Sequence, residues 1–215
     1  MKVDLVRYTD RPDEICGQAA ALCTGFEGDP LKALRGAMAS GHESVAEHAT
    51  FTFRIEGISR VTLAQLTRHR LASFSVQSQR YCGADAGSVV APDSMRRGDV
   101  VEMLAGFSFM AKTVYDELIE LGIPAEDVRY ILPQGITTTL MMTANARELR
   151  HLFSLRCCNR AQWEIRQLAD EMLKLCKGVA PVLFADAGAG CVRGRCPEGS
   201  KSCGHPRREE LHEAR

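Results

Sequence analysis

Apolar positions recur with two different periods along this chain of 215 residues, and the change of period separates strands from helices. Thr50-Phe51-Thr52-Phe53-Arg54-Ile55-Glu56 alternates strictly, which predicts a strand with Phe51, Phe53 and Ile55 on its buried face. Residues 1–8 alternate more weakly and predict a short strand. Ile136 to Thr143 is rich in β-branched residues and Met and predicts a second central strand. Helices are predicted over 12–23, 29–39, 100–121 and 161–177. Asp29 is the N-cap of the second of these, with Pro30 in its first turn and Gly41 past its end. Ser59 caps a helix running to Thr67, and Asn145 caps one running to Arg156. Pro124 opens a short helix that Pro133 ends. Strands and helices in this order fit an α+β domain with an antiparallel sheet flanked by long helices.

Composition narrows the class. At 45% hydrophobic and 25% charged residues the chain can bury an ordinary globular core. One domain is predicted over 1–187, followed by a tail over 188–215 whose Gly, Cys, Arg and Glu content marks it as partly disordered. Residues 83–99, rich in Gly, Ala, Pro and Asp, read as an exposed connection. No stretch reaches the roughly 20 apolar residues that cross a bilayer, and the N-terminus lacks a signal-peptide pattern. Nine cysteines, an odd number without regular spacing, predict reduced thiols and a cytoplasmic protein. Acidic and basic residues balance at 27 each, so no global field attracts nucleic acid or membrane. Aromatic residues, at 6%, are too few for a platform that stacks single-stranded bases.

The positive charge is nearly all arginine: 21 Arg against 6 Lys. Codon bias explains some of that, and phosphate gripping would explain the rest. Position decides between them. Arg68-His69-Arg70-Leu71-Ala72-Ser73-Phe74-Ser75-Val76-Gln77-Ser78-Gln79-Arg80 packs three guanidiniums, an imidazole, three hydroxyls and two amides into one short run. A guanidinium fork matches phosphate oxygens in pairs, while Ser and Gln serve a heterocycle or a ribose. The run reads as a polar pocket for phosphorylated, ring-containing ligands. A solvated loop is the plainer alternative, and the spacing is too particular for it. Upstream, His42 and His48 in Gly41-His42-Glu43-Ser44-Val45-Ala46-Glu47-His48 miss the spacing that sets two ligands on one helix face. That stretch reads as a polar turn feeding the Phe51 strand, with Ser44 and Glu47 available to a pocket, and no metal site is predicted.

The Arg68–Arg80 run resembles the signature of the flavin-dependent thymidylate synthases. That signature is Arg-His-Arg, two residues, Ser, one residue, Asn, two residues, Ser, one residue, Arg, and only Ser75, in place of Asn, departs from it. The His42–His48 block, Arg129 with Leu132-Pro133, the Asn145–Leu149 run, Arg156 and Ala161–Arg166 extend the resemblance over roughly residues 1–185. The resemblance implies that family's fold in a homotetramer that converts dUMP to dTMP. Methylenetetrahydrofolate would be the one-carbon donor, and FAD reduced by NADPH the hydride carrier. It places Ser44, Arg68, His69, Arg70, Asn145, Arg147 and His151 at FAD. It places Gln65, Arg68, Ser78, Gln79, Arg80 and Arg129 at dUMP, with phosphate contacts from Arg80 and Arg129. Arg156 would lie at the uracil ring as the catalytic residue and favour ionisation at N3.

Elementary chemistry agrees with those roles. Several phosphate charges in one cavity require convergent guanidiniums, because burying them uncompensated is prohibitive. A negative charge developing on uracil is stabilised by a cation that cannot lose its proton. No His–Asp relay is visible to activate Ser78, so binding is its expected role. Cys157 and Cys158 invite comparison with the thiolate of the other, folate-only thymidylate synthases, but their context does not match it, and packing is the expected role. Ser75, Val76, His151 and Arg160 depart from residues common in the family. Cys191, Cys196, Cys203 and His205 could hold zinc, but without a paired Cys-x-x-Cys they read as part of a flexible tail. Two rival classes remain open: a nucleic-acid-binding protein using the Arg run and the tail, and a flavoprotein of the same fold with a changed substrate.

Overall fold

Phe51, Phe53 and Ile55 are fully buried in the computed structural model, which describes residues 1–83 and 88–207. They lie on β2 (Thr50–Ser59), the second strand of a four-stranded sheet ordered β1-β2-β4-β3. The other strands are β1 (Lys2–Tyr8), β3 (Ser73–Val76) and β4 (Thr137–Asn145). Antiparallel register between β1 and β2 follows from the Thr9 N–H donating to the Thr50 carbonyl at 3.0 Å beyond the end of β1. Between β2 and β4 it follows from the Thr52 and Thr143 hydroxyls meeting at 2.9 Å and the Arg60 N–H reaching the Ile136 carbonyl at 3.1 Å. On β4, Thr138, Leu140, Met142 and Ala144 alternate inward, as the period of a half-buried strand requires.

Among the described residues seven α-helices accompany the sheet: α1 (Pro12–Thr24), α2 (Pro30–Ala39), α3 (Arg60–Leu66), α4 (Gly98–Glu120), α5 (Ala125–Val128), α6 (Ala146–Arg156) and α7 (Trp163–Val179). The predicted caps are in place. Asp29 accepts the Leu31 N–H at 2.9 Å, Ser59 the Thr62 N–H at 3.1 Å, and Asn145 the Glu148 N–H at 2.9 Å. Each satisfies a donor that the first turn leaves without an intrahelical partner. Gly122, at φ 81°, takes the left-handed conformation that ends α4.

The chain divides into two compact units. The first comprises residues 1–2, 55–68 and 74–141 and contains α3, α4, α5 and all of β3 but Ser73, with Tyr115, Leu118, Val128 and Leu132 packed together. The second comprises 3–54, 69–73 and 142–215. In it α1 lies against α2 and α6 against α7, and the Phe184 ring meets Phe51 at 5.4 Å and Phe153 at 5.9 Å, edge to face. Each such ring buried stabilises its unit by about 1.5–3 kcal/mol. An ionic cluster of this unit centres on a buried arginine. Arg150, 1% exposed, donates to Glu43 at 3.0 Å, to Asp186 at 2.7 Å and to the Leu183 carbonyl at 2.5 Å.

Three features differ from the sequence reading. β2 continues to Ser59 through Gly57, whose φ of 72° suits glycine alone. α7 begins at Trp163 with Gln162 as its cap. The middle of the polar run is a strand: on β3, Phe74 and Val76 are half-buried while Ser73 and Ser75 are exposed. Residues 84–87 of the predicted connection and 208–215 of the predicted tail lie outside the described residues. Within 188–207, Cys191 is buried, and Arg207 donates to Asp170 at 2.8 Å and to the Cys157 carbonyl at 2.7 Å.

Candidate active site

The predicted site residues fall into two groups, one in each unit. In the first unit, Gln65 sits half-buried on α3 and Arg68 is exposed just beyond it. Ser78, Gln79 and Arg80 follow β3, with the Ser78 hydroxyl accepting the Arg80 N–H at 3.1 Å. Arg129 begins the 3-10 turn Arg129–Ile131. Gln79 and Arg129 line one cavity of about 390 Å³, closed on another side by Pro133 and Gln134. Arg80 is paired with Glu126 at 2.5 Å, and its guanidinium lies over the Tyr81 ring at 5.6 Å.

In the second unit, His69 joins Glu148 in the first turn of α6 and Arg156 at its end in a chain of polar contacts. His69 is 4% exposed. Its Nε2 receives the Arg156 Nε–H at 3.1 Å, and its Nδ1 lies 3.2 Å from Glu148 Oε1. An arginine Nε can only donate, so Nε2 must accept and the ring proton must sit on Nδ1, donated to Glu148. His69 is therefore a neutral imidazole. Burial, with Arg156 and His151 beside it, pushes its pKa down to about 4. Burial pushes the Glu148 carboxyl up and the Arg156 guanidinium down. The His151 ring stands edge-on to His69 at 6.0 Å, itself exposed. Arg156 is thus held in one direction by an acceptor that is itself fixed by a carboxylate.

Glu148 was not among the predicted site residues. It stands three positions after the cap Asn145, where a capping-box reading would spend its side chain on the helix end. Its carboxylate instead meets a residue 79 positions away, which no local pattern signals. The same contact supplies the histidine–carboxylate pair that the sequence did not reveal. It is directed at Arg156, and Ser78 is not part of it.

Elsewhere in this unit, Ser44 (in the turn Glu43–His48), Arg70 and Arg147 are exposed, and Arg147 pairs with Glu47 at 2.5 Å. Guanidiniums, a hydroxyl and a carboxamide are the kinds of donor that the diphosphate and ring edges of a dinucleotide such as FAD would take. Among the described residues no three His, Cys, Asp or Glu side chains are grouped to hold a metal ion. Cys157 is buried, and its thiol is pushed up by burial and by Asp170, which favours the protonated form.

The family model for the thymidylate synthase complementing protein matches residues 4–182. The flavin-dependent thymidylate synthase of Geobacter sulfurreducens is 47% identical over 95% of this chain and 94% of its own. That of Pyrococcus furiosus is 42% identical over 92% of this chain and 90% of its own. Among solved structures, the Helicobacter pylori flavin-dependent thymidylate synthase complexed with FAD and dUMP superposes with a TM-score of 0.72 at 28% identity. It covers 87% of this chain and 100% of that one. A UMP/dUMP methylase from Streptomyces cacaoi bound with 5-Br dUMP superposes with a TM-score of 0.75 at 27% identity, over 85% and 92%. The chain belongs to the flavin-dependent thymidylate synthase family, whose members named here are enzymes.

Proposed function

We propose that this protein reductively methylates dUMP to dTMP, with methylenetetrahydrofolate as one-carbon donor and FAD, reduced by NADPH, as hydride carrier. Family membership across residues 4–182 carries the reading. When bound, the flavin supplies the hydride that completes the methyl group. Arg156 binds the uracil edge and stabilises negative charge as it develops on the ring. Its direction, set by His69 and Glu148, is the preorganisation such stabilisation needs. Arg129, Arg80, Ser78 and Gln79 bind the nucleotide, with Gln65 and Arg68 at its other side. Arg68, His69, Arg70, Ser44, Asn145, Arg147 and His151 hold the flavin dinucleotide. His69 also positions Arg156.

No protein cysteine attacks the uracil in this scheme. The buried, protonated thiols of Cys157 and Cys176 support that part of it. Assembly is as a cytoplasmic homotetramer, with residues 1–187 as the catalytic domain and 188–215 as an appended tail. Support comes from α4, where Met103, Phe107, Phe109 and Met110 are 55–74% exposed, more apolar surface than a lone helix leaves in water. No helix among the described residues is long and apolar enough to cross a membrane. The purified protein is expected to be yellow, and adding dUMP should perturb its flavin spectrum. A colourless preparation that cannot be reconstituted with FAD would overturn the reading.

A further inference from the structure

The cavity beside Gln79 and Arg129 contains a second guanidinium, that of Arg60, the first residue of α3. Arg60 Nη2 donates to the Gln77 carbonyl at 2.9 Å, while its Nε is buried and has no hydrogen-bond partner. Arg129 Nε is spent on a neutral acceptor, the Glu126 carbonyl, at 3.0 Å. The Glu126 carboxylate is engaged by Arg80. Among the described residues no acidic side chain lines the cavity itself.

Two guanidiniums therefore share one partly enclosed space with no carboxylate among its described lining residues. Burial, together with the Arg129 charge, pushes the Arg60 pKa down, the direction expected of a cation short of a counter-ion. Such an arrangement costs free energy in the free protein, and a bound anion recovers it. A phosphate monoester carries close to two negative charges and three acceptor oxygens, and the guanidinium fork matches those oxygens in pairs. The cavity, at about 390 Å³, admits such a group.

We infer that Arg60 is a phosphate-binding residue, which with Arg129 takes the 5′-phosphate of the nucleotide substrate in this cavity. The inference rests on the dUMP reading above and adds a residue to it. Arg60 makes no contact with the uracil in this account. It sets how strongly the enzyme prefers a nucleotide to the corresponding nucleoside.

Calorimetric titration of the FAD-loaded wild type, Arg60→Gln and Arg60→Lys with dUMP and with deoxyuridine tests this. The wild type should prefer dUMP strongly. Arg60→Gln should weaken dUMP about 10- to 100-fold, the loss expected of a charge-assisted hydrogen bond. Deoxyuridine binding should stay within about twofold, and FAD content should be unchanged. Arg60→Lys, which keeps the charge but not the fork, should fall between. Retention of the full dUMP preference in Arg60→Gln overturns the inference. So does loss of FAD with that preference intact, which would assign the cavity to the cofactor's phosphates. If Arg60→Gln does not fold, Arg60→Lys decides, and unchanged dUMP affinity there overturns it. A wild type that binds dUMP and deoxyuridine equally would refute the nucleotide reading itself, which distinguishes the two failures.

Discussion

Replacing His69 with Gln should flatten the acid side of the stability profile. His69 is neutral in the fold, with a pKa of about 4 against 6.5 in its ordinary state. In a histidine whose folded pKa is depressed, the unfolded chain binds the proton first. The stabilisation is therefore intact above pH 6.5 and is lost progressively as the pH falls towards 4. At about 1.4 kcal/mol per pH unit, that interval amounts to roughly 3 kcal/mol per protomer. Glu148 acts in the opposite sense, because burial raises its folded pKa and the fold gains as it is protonated. The difference between wild type and His69→Gln, which keeps Glu148, isolates the histidine. Urea denaturation at fixed protomer concentration between pH 7.5 and 4.5 is the assay. The wild type should lose most of that 3 kcal/mol relative to the variant. Parallel pH profiles would refute both the neutral tautomer and the direction in which Arg156 is held.

Arg156→Ala should retain the flavin while turnover collapses, and unchanged turnover in a steady-state assay would remove Arg156 from the catalytic role. Arg150→Met removes the buried partner of Glu43 and Asp186 while Arg193 remains beside both, so the denaturant midpoint should fall by an amount equivalent to about 1–3 kcal/mol. In the wild type, burial pushes both carboxyls up, but Arg150 and Arg193 prevail and hold them below their ordinary range. Their stabilisation is present at neutral pH and is lost as the pH falls through the lowered values. The acid limb of a denaturation series should therefore be shallower in Arg150→Met. Asp29→Ala removes the α2 cap and should cost about 1 kcal/mol by the same measurement, with flavin content unaffected.

Much of the fold was legible because its signals are local. The caps at Asp29, Ser59 and Asn145, the Phe51–Ile55 alternation and the proline at α5 each act within a few residues, and each is found where the spacing places it. Strand β3 was not legible, because Ser73-Phe74-Ser75-Val76 offers two apolar residues in a polar run. Its pairing with β4 is a tertiary fact. The site follows the same division. The Arg-rich run announced itself by composition and spacing. The Glu148–His69–Arg156 chain joins residues 79 and 87 positions apart, and Arg60 looks in sequence like any first-turn arginine. What distinguishes Arg60 is a buried nitrogen without a partner, which only coordinates can show.

The central claim is a reaction, and product formation tests it most directly. Purified protein loaded with FAD should convert dUMP tritiated at uracil C5 to dTMP only when methylenetetrahydrofolate and NADPH are both supplied, releasing the tritium as it does so. Turnover should survive Cys157→Ser and Cys158→Ser. Formation of dTMP without flavin, or its loss on removing either thiol while the fold and flavin content persist, would contradict the account.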